Sequence, residues 1–182
     1  MQRVIVAPAA LSGAPLAELK SWLAVTTAGE DDLLEAQLRA ALDACEAFTG
    51  VMPLRQTCTE TLPARAGWSR LATRPVQGVA SVHGLDASGA AVALAGPEVR
   101  VRIGAGGEAA VRLLRPHDGI DRLVVRCSAG LAATWPEVPG ALRQGIVRLA
   151  AHLHHARGTA GDSAPPAAVT ALWRPWRHLR LT

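Results

Sequence analysis

Few residues in this sequence have the types and spacing that chemistry needs, and each group can be weighed in turn. Gly104-Ala-Gly-Gly-Glu-Ala follows a strand-like run and matches a G-x-G-x-x-A dinucleotide fingerprint. That fingerprint works when a helix of real length follows and turns its N-terminus to a pyrophosphate. Only Ala110-Val-Arg-Leu-Leu stands between it and Arg115-Pro116, so a glycine hairpin turn is the better reading. His152, His154 and His155 fall on one predicted helix, where ligands to one metal want i,i+3 or i,i+4 spacing. Only His152 and His155 satisfy that, and no neighbouring Cys or carboxylate completes a set. The seven serines include no G-x-S-x-G elbow. Cys45, Cys58 and Cys127 are odd in number and unpaired in spacing, against both a disulfide framework and a zinc site. The expectation is no catalytic residue, no cofactor and no metal. The protein is not expected to be an enzyme.

What remains is surface chemistry. Trp173, Arg174, Trp176, Arg177 and Arg180 crowd into eight positions near the C-terminus, together with Leu172 and Leu181. Trp and Arg are the residues most often found as interface anchors. Two readings stay open: a partner-binding tail, or a C-terminal helix folding Leu172, Trp176 and Leu179 back onto its own core. Pro175 argues for a kink or an extended stretch there. Charge is also divided along the chain. The first 50 residues hold three basic and seven acidic side chains, while residues 140–182 hold six arginines against Asp162. An acidic front and a basic back can attract each other between neighbouring copies. Glu35, Asp43 and Glu46 on one side and Arg143 and Arg148 on the other are the candidate inter-subunit residues. The same arginines could instead meet phosphates, which makes a nucleic-acid-binding module using the basic C-terminal half the alternative.

These side chains need elements to carry them. In Val138–Arg157 the apolar positions Leu142, Ile146, Leu149, Ala150 and Leu153 share one helical face, with Pro139 at the start and Gly158 as a stop. Pro15 opens a short helix with Leu16, Leu19, Trp22 and Leu23 on its stripe. A second, about Asp31 to Thr49, carries Leu34, Leu38, Ala41, Leu42, Cys45 and Phe48 and is closed by Gly50. Residues 1–13 read as an extended arm with a β-prone start at Arg3-Val-Ile-Val. Between about Leu54 and Ser128 the period becomes two, in Thr57-Cys-Thr-Glu-Thr-Leu, Val99-Arg-Val-Arg-Ile and Arg122-Leu-Val-Val-Arg-Cys. A strand from Pro75 runs into the turn Asp86-Ala-Ser-Gly. The fold class is therefore α+β: a helical core (15–50 and 138–158) with an inserted antiparallel β module (54–128) of five or six short strands. Residues 1–167 form the expected domain and 168–182 its tail.

The bulk numbers agree. At 182 residues and 49% hydrophobic the chain can bury a proper core. It has no apolar run long enough to span a bilayer. The N-terminal apolar run is short and broken by Pro8, which argues against a signal peptide. Cytoplasmic synthesis is the default expectation.

Three stretches in this order resemble the head–tail connector, or adaptor, proteins of long-tailed bacteriophages and gene transfer agents. Leu19-Lys-Ser-Trp-Leu-Ala-Val, Glu30-Asp-Asp-Leu-Leu and Ala44-Cys-Glu-Ala-Phe-Thr-Gly are similar to the family's opening helix pair. Ser128-Ala-Gly-Leu and Val138–Arg157 are similar to its late core helix. Val169–Leu181, behind Pro165-Pro166, is similar to its terminal segment. The resemblance implies a homo-oligomeric ring, dodecameric in the assembled particle, joining the portal to the stopper or tail proteins. Non-specific DNA would pass through its lumen, and no membrane is involved. It implies assembly in the bacterial cytoplasm and a final place in the particle neck. Leu172, Trp173, Arg174, Trp176, Arg177, Arg180 and Leu181 become the expected portal-binding residues. Two departures from the family pattern stand out. Gly145 replaces a better helix former, and Trp173 and Trp176 replace aliphatic or tyrosyl positions.

Overall fold

A computed structural model describes residues 2–65, 67–94, 98–115, 119–156 and 165–178. The chain separates into two compact units, one of Met1–Pro8 with Arg55–Gly130 and the other of Ala9–Leu54 with Leu131–Thr182. The fold is α+β, as the change of period predicts.

The first unit holds the β-structure. Its strands are β1 (Gln2–Ala7), β2 (Gln56–Pro63), β3 (Ser69–Arg70), β4 (Val76–Leu85), β5 (Ala91–Ala93), β6 (Val99–Ile103), β7 (Ala109–Leu113) and β8 (Arg122–Ala129). They form a five-stranded sheet in the order β1-β2-β8-β4-β5 and a three-stranded sheet in the order β3-β7-β6. Every ladder is antiparallel. Seven strands therefore lie between residues 54 and 130 among the described residues, where the alternation predicts five or six. The expected arm is itself sheet, because β1 pairs along β2 and forms the sheet's edge. Gly104–Gly107 is the β6–β7 turn, closed by the Gly104 N–H donating to the Glu108 carbonyl at 2.8 Å. Gly107 has φ +73°, and a side chain there would run into Pro75. Asp86–Gly89 is likewise a tight turn, in which the Asp86 carboxylate accepts from the Ser88 hydroxyl and the Ala90 N–H. Those two bonds hold its pKa below the ordinary value.

The second unit is helical: α1 (Ala14–Leu23), α2 (Asp31–Thr49), α3 (Gly140–His155) and α4 (Ala167–Trp173). Pro15 lies in the first turn of α1, and Gly50 caps α2 in the left-handed region at φ +75°. The periodic positions meet as one core, except Trp22, which the first helix leaves exposed. Leu19, Leu34, Leu38, Leu42, Leu142, Ile146 and Leu149 are all buried, with Leu153 partly buried against them. The expected stop at Gly158 lies outside the described residues, as do Arg157, Asp162 and Leu179. No helix among the described residues is long and apolar enough to cross a membrane.

Candidate assembly surface

Several titratable groups among the described residues hold places in the structure. Burial pushes the thiols of Cys45 and Cys127 up to about 12, so both are protonated at neutral pH and neither is a nucleophile. All three cysteines are buried, and none is in a disulfide. Glu60, fully buried on the inner face of β2, accepts from the Ala72 N–H at 2.6 Å, the Thr73 N–H at 3.2 Å and the Thr73 hydroxyl at 3.0 Å. Those bonds tie the loop before β4 to the sheet, which is a structural task. His154 faces the Glu30 carboxylate at 3.9 Å and meets His155 edge-on. No group of three or more His, Cys, Asp or Glu among the described residues could hold a metal ion.

The C-terminal segment is where the structure is most informative. Pro166 precedes α4, and the chain then tightens into a 3₁₀ turn, Arg174–Trp176, that takes Pro175 in its first turn. Trp173 is fully buried, and its indole N–H donates to the Leu142 carbonyl at 3.3 Å. It lies directly over Gly145 of α3, where a methyl group would overlap the indole ring. The two residues thus explain each other, since Gly145 opens the hole that Trp173 fills. Phe48 meets Trp173 with ring centroids 6.1 Å apart, and the Arg177 guanidinium lies 5.6 Å from the Phe48 ring. The His178 N–H then donates to the Thr49 carbonyl at 2.9 Å.

Of the seven residues expected to bind a partner, Trp173 is therefore core and carries no surface. Leu172 and Trp176 are half-buried against the same core. Arg174 and Arg177 are exposed, while Arg180 and Leu181 lie outside the described residues. The fold-back reading describes residues 167–178. Tryptophan enrichment marks buried anchors and exposed anchors alike, so only the unusual Gly145 offered a hint in the sequence.

The charged candidates also separate. Asp43 is exposed on α2, with Glu35 and Glu46 half-exposed on the same side. Arg39, between them, turns back to donate to the Ala9 carbonyl at 2.9 Å. Arg143 pairs with Glu18 at 3.5 Å and also donates to the Pro136 carbonyl. Glu18 in turn accepts from the Trp135 indole N–H at 2.7 Å. Arg148 lies over the exposed Trp22 ring at 5.5 Å. Both arginines are thus engaged inside their own unit.

No sequence family matches the chain, and no curated protein matches it. Solved structures do. The chain is similar over its whole length, with 98% of the other chain covered, to a chain in the virion of a native gene transfer agent particle at 26% identity and a TM-score of 0.78. The same values hold for a chain in the neck of a native particle computed with C12 symmetry. A chain in the neck of an empty particle computed with C6 symmetry is 24% identical, again with a TM-score of 0.78. The structural neighbours are thus chains of a gene transfer agent neck, as those of a head–tail connector would be.

Proposed function

We propose that this protein is a structural subunit of a particle neck, a head–tail connector that assembles as a ring between portal and stopper or tail proteins, with DNA passing through its lumen. One observation carries the reading: the full-length match of fold, at 26% identity, to a chain in a neck of twelve-fold symmetry. A ring subunit also needs two different complementary flanks, because heterologous contacts close only when unlike surfaces meet. The acidic outer side of α2 supplies one such flank. Portal attachment falls to Arg174 and Arg177 and to the last residues of the chain, including Arg180 and Leu181. A nucleic-acid module acting through the C-terminal half has less to work with, because Arg143, Arg148 and Arg177 each contact a partner in their own unit.

Electron micrographs of the purified protein mixed with its portal test the reading. Coaxial stacked rings are the expected result. Monomers that leave the portal unoccupied at high concentration would overturn it.

A further inference from the structure

The three-stranded sheet carries a face that the neck reading leaves without a use. Across it, Arg70 on β3, Ala110 on β7 and Arg102 on β6 are register partners in one row, and Arg112 and Arg100 face each other in the next. Side chains two apart on a strand share a face, so four arginines lie on one side of a sheet only three strands wide. All four are exposed. Trp68, two residues before Arg70, stands on that side too, with the Arg102 guanidinium 5.0 Å from its ring centre. Arg74 joins at one end, where Arg70, Arg74, Arg102 and Glu108 rim a cup of about 250 Å³ with Ala110 among its lining residues.

This arrangement is unfavourable in isolation. Like charges directly opposite on neighbouring strands, as in Arg100 and Arg112, destabilise a sheet. The carboxylates stand at opposite ends, Glu98 just before β6 and Glu108 just before β7, with Glu108 reaching Arg74 at only 3.7 Å. Among the described residues, the charged groups at the centre of the face are all guanidiniums. Neighbouring strands are about 4.8 Å apart and alternate residues about 6.6 Å, so the guanidiniums form a closely spaced array of like charge.

We infer that this face binds the phosphate backbone of double-stranded DNA without reading its sequence. Charge complementarity selects a polyanion. A backbone of phosphates is preferred over an acidic protein surface because protein interfaces are built around an apolar centre, whereas nucleic-acid interfaces are polar and strongly positive. Here the middle of the face is Ala110 between arginines. Planar guanidiniums also fit phosphate oxygens two at a time. The inference takes from the neck reading only that duplex DNA is the polyanion at hand, and it names the surface that would touch it.

The test uses the full chain and a fluorescein-labelled random-sequence 20-base-pair duplex, with anisotropy read between 50 and 200 mM salt. R70Q/R102Q/R112Q should lose at least tenfold in affinity at the low-salt end. Its dependence of log affinity on log salt should flatten by about 2–3, near 0.9 per phosphate contact removed. R70K/R102K/R112K should keep most of the slope, and R55Q/R122Q/R126Q, exposed arginines off this face, should bind like wild type. All variants are checked for ring formation by micrograph. Equal loss in both glutamine triples would make the effect net charge alone and overturn the inference. So would wild-type binding by R70Q/R102Q/R112Q, or loss of rings in that variant with no duplex binding by wild type, which would make the face a protein interface. Failure of wild type to form rings with portal would count against the neck reading instead, leaving the duplex result to stand by itself.

Discussion

Gly145 and Trp173 act as a pair. A glycine inside a helix costs about 1 kcal/mol against alanine, so its presence in α3 calls for a compensating gain. The gain is the indole of Trp173, which closes on the Gly145 backbone with no exposed surface. Burying a tryptophan removes roughly 150–250 Å² from water, on the order of 4–6 kcal/mol at about 25 cal/mol per Å². Gly145→Ala should therefore destabilise the protein despite alanine's better propensity, by about 1–3 kcal/mol as an overpacked site. Trp173→Ala should cost about 3–5 kcal/mol by leaving a cavity. In G145A/W173L the smaller side chain makes room for the methyl group, so the double variant should be more stable than either effect summed. Thermal melting of wild type, G145A, W173L and G145A/W173L measures the coupling, and strict additivity would show that the contact is not the reason for the glycine. Sequence offered Gly145 and Trp173 only as oddities 28 positions apart, since no local pattern connects a hole on one helix to a knob on another. Glu60 was hidden for a similar reason. It shares the inner face of β2 with Cys58 and Leu62, and the donors that satisfy it, from Ala72 and Thr73, come from a loop with no periodicity of its own.

Elements with a strong period and clear punctuation were legible. The stripes of α1, α2 and α3, with Pro15, Gly50 and Pro139 at their ends, required only the 3.6-residue repeat. The strands β2, β6 and β8 followed from alternation, and β4 from an apolar run that ends in the turn at Asp86. Several shorter elements did not. β3 has two residues and β5 three, too few to show any period, and β1 read as an arm because its sheet partner lies more than 50 residues on. The terminal segment was ambiguous because α4 has seven residues before Pro175. Its docking separates two deletions that the sequence alone treated as one. Removing residues 167–182 takes Trp173 and Val169 out of the core and should lower Tm by about 8 °C or more, at roughly 2–4 °C per kcal/mol for a chain of this size. Removing only 179–182 leaves the described contacts intact and should hold Tm within about 2 °C, while weakening portal capture. Single tails bind weakly because ordering each residue costs about 1–2 kcal/mol. A ring of tails binds together through effective concentration, so the short deletion is read on assembled rings. Full portal capture by the 179–182 deletion would place the attachment elsewhere.

At the scale of the whole molecule the charge division is the feature most readily tied to assembly, and the structure sharpens what it can do. The basic C-terminal half does not present all of its charge. Arg143 is held by Glu18, and Arg148 lies on Trp22. The acidic outer side of α2 presents more of its own, since Asp43 is exposed and Glu35 and Glu46 are half-exposed. Exposed ion pairs contribute only about 0–1 kcal/mol each, and at physiological salt they act over about 8 Å. Charge on α2 should accordingly select the register of neighbours while apolar contact supplies most of the affinity. A closed ring repeats each contact at every interface, so a small penalty per interface shifts assembly steeply. Reversal of Glu35, Asp43 and Glu46 to lysine should raise the concentration needed for rings by at least tenfold and change the sign of the salt response. The monomer's Tm should move little, because surface substitutions usually fall within about 0.5 kcal/mol. R143Q/R148Q should do the reverse, lowering Tm through the lost Glu18 and Trp22 contacts and affecting rings only as far as the fold is weakened. Mass photometry across a salt series, with melting curves in parallel, reads both. Rings forming at the wild-type concentration and with the wild-type salt response in the triple-lysine variant would remove α2 from the ring interface.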